Sequence, residues 1–241
     1  MARTNKKRNN GRVIRIQDEK QESYYQRKTT VKLIPRNTAQ EDYVLNLHNP
    51  SNRIVFAIGP AGTGKTYLAV QKAIAELRDQ RTSRIIITRP AVTAGEDHGF
   101  LPGDITRKME PWTRPIFDVF EEYYTPKDIK AMLEDNVIEI CPLAYMRGRT
   151  FKDAIVIFDE SQNTKPSQMK MALTRIGEGS RMFITGDLNQ SDFKGDNGLR
   201  DFFKRMAGRE SSMIAMTEFR REHVERDPIV TEVLKYYGED E

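Results

Sequence analysis

Residues Gly59, Pro60, Ala61, Gly62, Thr63, Gly64, Lys65 and Thr66 match the pattern G-x-x-x-x-G-K-[ST] without a mismatch. An apolar, β-branched run, Ile54–Ile58, precedes them and reads as a buried strand. Val70, Ala73, Ile74 and Leu77 follow at i, i+3, i+4 and i+7, the spacing of one helix face. A strand that feeds a glycine loop and then a helix leaves few folds open. Backbone N–H groups of such a loop can curl around phosphates, and the helix N-terminus adds partial positive charge. The eight residues are therefore expected to bind a nucleotide. In that reading Lys65 reaches the β- and γ-phosphates, and the Thr66 hydroxyl ligates Mg²⁺. The alternative is a strand-to-helix turn without a ligand.

Four further apolar runs read as strands: Arg84–Thr88, Val137–Cys141, Ala154–Phe158 and Arg181–Thr185. They are continuous rather than alternating, as parallel strands buried on both faces should be. Met169, Ala172, Leu173 and Ile176 share a helical face, and Gly177 is placed as a C-cap. Alternating strands and helices predict an α/β fold with a parallel sheet. Residues 1–36 read as a small N-terminal extension that ends in a strand candidate, Thr30–Ile34, and residues 37–241 as the core domain. Residues 95–136 are the least core-like stretch. They hold Gly99-Phe100-Leu101-Pro102-Gly103 and then Ile116, Val119, Phe120 and Tyr123 at helical spacing, an expected insertion at one end of the sheet.

The net charge of +4 leans toward polyanionic partners without establishing one. Residues 1–12 concentrate it in Arg3, Lys6, Lys7, Arg8 and Arg12, either an arm for phosphates or a solvated tail. The lone Cys141 excludes an intrachain disulfide and reads as a buried structural thiol. No apolar run approaches the ~20 residues of a membrane helix, nor is there a signal peptide, so a soluble, cytoplasmic protein without a membrane partner is expected.

Asp159-Glu160 closes the strand Ala154–Phe158. There Asp159 can hold Mg²⁺ and Glu160 can act as a general base on an attacking water, although an acidic pair is also a common loop start. A strand lies between the glycine loop and this pair in sequence, which suits hydrolases better than kinases. Gly186-Asp187-Leu188-Asn189-Gln190 follows the next strand. Gln190 can sense the γ-phosphate, or the segment can be an ordinary turn. Arg89, Arg147 and Arg149 can contact phosphates; Arg89 can equally be a strand-end cation, and the other two can line a subunit interface. Trp112, Tyr123 and Tyr124 can stack on bases or pack internally.

These segments together resemble the PhoH-like ATPases, which share motifs with superfamily 1 helicases. The resemblance rests on Gly59–Thr66, Arg89–Val92, Gly99–Asp104, Tyr145–Thr150, Asp159–Asn163, Gln168–Met171 and Gly186–Gln190, in the family's order over about residues 37–235. Ser161 stands where Ala is usual, Asn189 where Thr is common, and Glu225-Arg226-Asp227 where Val-Arg-His is. The resemblance implies a RecA-like P-loop NTPase core, ATP and Mg²⁺ as ligands, a homo-oligomeric, hexameric ring, and ATP-driven work on single-stranded RNA. It also implies that Gln40 reads adenine and that Arg226 is the late family arginine. One phosphate loop on one core suggests an arginine finger from a neighbouring subunit, with Arg226, Arg220 and Arg221 as candidates. A nucleotide-dependent assembly switch without helicase activity is the alternative. A small-molecule kinase is disfavoured by Glu160 and Gln190.

Overall fold

The structure is a computed structural model and describes residues 30–90, 105–190, 197–225 and 227–236. The elements run α1 (Thr38–His48), β1 (Ile54–Ile58), α2 (Lys65–Arg78), β2 (Arg84–Thr88), α3 (Ile105–Glu121), α4 (Pro126–Glu134), β3 (Ile138–Ile140), β4 (Ala154–Phe158), α5 (Pro166–Leu173), β5 (Arg181–Gly186), α6 (Gly198–Met206), β6 (Ile214–Glu218) and α7 (Pro228–Tyr236). The strands form one sheet in the order β3-β2-β4-β5-β1-β6, with every pairing parallel.

Period-two alternation sends each apolar run to both faces of this sheet. Val55, Ala57, Ile85, Ile87, Ile155, Ile157 and Phe183 meet α1, α2, α3 and α4 on one side. Phe56, Ile58, Ile86, Val156, Phe158, Met182 and Ile184 meet α5 and α6 on the other. The middle positions of β1, β2, β4 and β5 are apolar on both faces, which is why the runs are continuous, and the polar residues Arg84, Thr88, Arg181 and Thr185 fall at or next to the strand ends. Each such side chain contributes about 1.5–3 kcal/mol on burial. The result is the α/β architecture, a parallel sheet flanked by helices, that the alternation of strands and helices predicts. The strand between β1 and β4 in the sheet is β5, whereas β2 lies beyond β4. Both the loop after β1 and Asp159-Glu160 after β4 therefore open at the carboxyl edge, where open parallel sheets bind ligands.

Several expectations need correction. Thr30–Ile34 is not a strand; Val31 and Leu33 instead lean on the core as extended chain. α5 ends at Leu173 with Thr174 as its C-cap, so Gly177 caps nothing. Gly177 lies where its N–H donates to the Phe151 carbonyl at 2.7 Å, and a β-carbon there would come within 2.5 Å of that oxygen. Residues 105–136 are not peripheral. Ile116, Phe120, Tyr124, Ile129 and Met132 belong to the core under α3 and α4, because α3 packs on α2 and α4 packs on α3 and the strand β3. β3 is shorter than its run, leaving Val137 and Cys141 outside it. Cys141 is buried, as expected, and burial raises its thiol pKa. β6 was not apparent in the sequence: it is an edge strand with Met216 half exposed, so it lacks a continuous apolar run. Among the described residues, no helix is long and apolar enough to cross a membrane.

Candidate active site

The loop Gly59–Thr66 leaves β1 and enters α2, whose N-cap is Gly64 with no side-chain cap. The amides of its first turn are thus free of a capping side chain at the end where the helix dipole is positive. Gly59 has φ +145°, and a β-carbon on it would lie 2.1 Å from the Phe219 carbonyl oxygen, so only glycine fits. Several contacts hold the loop in shape. The Gly59 N–H donates to the Gly186 carbonyl at 3.0 Å, and the Thr63 hydroxyl donates to the Pro60 carbonyl at 3.0 Å. The Glu225 N–H donates to the Gly62 carbonyl at 2.8 Å. Gln40 donates through Nε2 to the Thr63 carbonyl at 3.1 Å, while its Oε1 accepts from the Arg36 N–H at 2.8 Å. Gln40 is buried behind the loop, and it is not among the residues lining the cavity in front.

That cavity, about 230 Å³, is lined by Ala61–Tyr67 of the loop and α2, and by Asp159, Glu160, Gln162, Thr185, Gly186, Asp187 and Gln190. Lys65 Nζ donates to the carbonyls of Gly59 at 2.7 Å and Pro60 at 2.6 Å, and to the Thr63 hydroxyl at 3.2 Å. No carboxylate is within ion-pair distance of it among the described residues. Burial lowers its pKa to about 8, against the opposing pull of Asp187, Glu160 and Asp159. A partly buried cation without a carboxylate partner, beside the uncapped amides of a helix N-terminus, is a receptor for an anion.

Asp159 is buried and accepts at Oδ1 from Thr66 at 2.8 Å and from the Thr185 hydroxyl. Thr66 and Asp159 thus bring hard oxygen donors together beside the loop, a set that fits Mg²⁺. Glu160 sits in the left-handed region, φ +53° and ψ +39°, a local cost of about 1–2 kcal/mol for a residue with a β-carbon. Its Oε2 accepts from Gln162 Nε2 at 2.5 Å. Gln162 Oε1 accepts from the Asp187 N–H at 3.1 Å, so one amide ties the β4 and β5 ends together. Arg89, at the end of β2, reaches both acids: Nη1 is 3.7 Å from Asp159 Oδ2 and Nη2 is 3.6 Å from Glu160 Oε1. Nη1 also donates to the Trp112 carbonyl at 2.8 Å, which connects the acids to α3.

The structure therefore gathers Lys65, Thr66, Asp159, Glu160 and Gln190 at one cavity and leaves Gln40 behind it. In Gly186–Gln190 the Asn189 N–H closes a turn on Asp187 Oδ1 at 2.9 Å, and Gln190 is exposed at the cavity. Arg220 and Arg221 are exposed at the turn that leads to Glu225, beside the chain's own loop; Arg226, Ala91–Val92 and Gly99–Asp104 lie outside the described residues. Arg149 forks onto Glu139 and lies 4.7 Å over the Phe151 ring, whereas Arg147 is exposed. Tyr123 accepts from Gln71 at 2.6 Å, and Tyr124 is buried under the Arg78 guanidinium at 4.8 Å, so both pack internally. Thr185, Gln162 and Tyr67 were given no role from sequence. Tyr67 lines the cavity and donates to Glu122 at 2.9 Å; burial first, then that bond, pushes its pKa up to about 12. Their position next to the loop lysine or at strand ends was the available signal.

Residues 32–238 match the family model described as PhoH-like protein. The PhoH-like protein of Bacillus subtilis (strain 168) is 47% identical over 204 residues, covering 84% of this chain and 63% of that one. The PhoH-like protein of Mycobacterium tuberculosis (strain ATCC 25618 / H37Rv) is 45% identical over 206 residues, 85% and 57%. Protein PhoH of Escherichia coli (strain K12) is 39% identical over 213 residues, 87% and 59%. The chain spans about six-tenths of the length of these relatives. Among solved structures, the Pif1 helicase from Candida albicans aligns with a TM-score of 0.38 and 16% identity, over 78% of this chain and 40% of that one.

Proposed function

Because this chain belongs to the PhoH-like protein family and is a nucleotide-binding P-loop protein, we propose that it hydrolyses ATP and couples hydrolysis to single-stranded RNA. The observation that supports this best is the single cavity shared by Lys65, Thr66, Asp159 and Glu160. Lys65 would hold the β- and γ-phosphates. Thr66 and Asp159 would hold Mg²⁺, which when bound offsets phosphate charge. Glu160 would orient and deprotonate the attacking water, and Gln162 and Arg89 keep its carboxylate at the cavity. Gln190 would contact the γ-phosphate side. A homo-oligomeric ring, hexameric in this reading, would complete the site with an arginine from a neighbour, and Arg226, Arg220 and Arg221 are the candidates. In this reading the protein would act in the cytoplasm, with access to RNA.

A second reading is a nucleotide-dependent assembly switch. The Glu225–Gly62 bond favours it, since it ties the loop to a segment bearing two exposed arginines. Turnover measured with and without single-stranded RNA separates the two. Stimulation supports the RNA-coupled ATPase; RNA-independent turnover with nucleotide-dependent oligomerisation supports the switch.

A further inference from the structure

A second cavity, about 440 Å³, opens at the opposite edge of the sheet, where the strands begin. Arg53 precedes β1, Arg181 opens β5, Lys72 faces it from α2, and Arg81 follows that helix; Glu76 is the acid that lines it. Lys72 is 2% exposed and pairs with Glu76 at 2.5 Å. The same carboxylate serves Arg81 at 3.0 Å, and Arg81 also pairs with Asp79 at the rim at 2.6 Å. Arg181 is 9% exposed and spends Nε and Nη2 on the carbonyls of Asn52 and Asn49, both at 3.0 Å. Arg53 spends the same two nitrogens on the carbonyls of Ser180 and Gly177, both at 2.6 Å. Nη1 of each arginine has no hydrogen-bond partner among the described residues.

Four cations thus face one cavity, offset by Glu76 within it and by Asp79 at the rim, an excess of two positive charges. Buried cations need compensation. Burial lowers the pKa of Lys72 and of Arg181, and the neighbouring Arg81 adds to both effects. The carbonyl clamps fix the two guanidinium planes, and a fixed guanidinium fork suits phosphate oxygens.

We propose that this cavity is a binding site for a small phosphate-bearing anion of two or more negative charges, separate from the phosphate loop. A nucleic-acid backbone fits less well. The cations converge in a concavity, with Lys72 and Arg181 buried, rather than lying along an exposed stripe.

Pyrophosphate titrated into the full chain by calorimetry at about 0.15 M salt tests this. Lys65→Ala weakens the phosphate-loop site, and a second binding event is expected to survive in it. Adding Arg81→Glu at the half-exposed rim is expected to weaken that event by about tenfold or more. Lys72→Met, added instead, should do the same from the buried side. Loss of all pyrophosphate binding in Lys65→Ala alone would overturn the proposal. So would a surviving event that neither added substitution changes. Binding of a single-stranded oligonucleotide at this face without any of pyrophosphate would also overturn it, and would assign the cavity to a nucleic-acid backbone.

Discussion

Two glycine-to-alanine substitutions, Gly59 in the phosphate loop and Gly148 outside it, separate overlap from backbone strain. Gly148 has φ +78°, and a β-carbon built there meets nothing within 4 Å. Gly148→Ala should therefore cost only the conformational penalty, about 1 kcal/mol, reduced by a few tenths because alanine also restricts the unfolded chain. Gly59 has φ +145° and its β-carbon would lie 2.1 Å from the Phe219 carbonyl oxygen. Ordinary contact requires the end of β6 to retreat by roughly 1 Å, which typically costs about 1–3 kcal/mol. That movement also strains the Phe219 N–H bond to the Ile58 carbonyl, 2.6 Å long, worth about 1 kcal/mol. With the dihedral penalty of about 1–3 kcal/mol, Gly59→Ala should cost about 3–7 kcal/mol in all. Against a typical stability of about 5–15 kcal/mol this leaves a marginal protein. Urea unfolding followed by circular dichroism reads both variants. A Gly59→Ala cost no larger than that of Gly148→Ala would refute the close approach of β6 to the loop.

Further tests address the cavity. Binding of a nucleotide phosphate should raise the Lys65 pKa from about 8, so binding takes up a proton. Affinity for ATP should be full below pH 8 and fall by up to about tenfold per pH unit above it; an affinity flat from pH 7 to 9.5 by fluorescence titration would count against a lysine contact. Gln40→Ala should weaken ATP and GTP alike by a few-fold to about tenfold, since it removes the bond to the Thr63 carbonyl; selective loss of ATP would instead support an adenine-reading role. Arg149→Ala should lower stability by about 1 kcal/mol by freeing Glu139, with turnover little changed, while Arg147→Ala should leave the melting temperature within about 2 °C.

The central strands were legible in the sequence because they are buried on both faces. Ile85–Ile87 and Ile155–Ile157 need an apolar side chain at every step, and nothing else in the chain mimics that. β6 escaped because only one of its edges pairs, with β1, and its Met216 faces solvent. The phosphate loop, Asp159 and Glu160 were legible because one short segment carries each. Thr185 was not. It reaches Asp159 only because β5 lies beside β4 with Phe158 opposite Ile184, a register that local pattern does not encode. Gln40 shows the converse. It lies 23 residues from Thr63 in sequence, and only the packing of α1 behind the loop turns its amide to the backbone. Arg89 likewise gains its two acids from the pairing of β2 with β4.

The most direct measurement is single-turnover hydrolysis of Mg·ATP by wild type beside Glu160→Gln, with nucleotide affinity measured on the same samples. If Glu160 is the base, the rate falls by about 10²–10⁴-fold while ATP affinity stays within a few-fold. Wild-type-like hydrolysis in Glu160→Gln, or no hydrolysis by wild type that binds Mg·ATP, contradicts it.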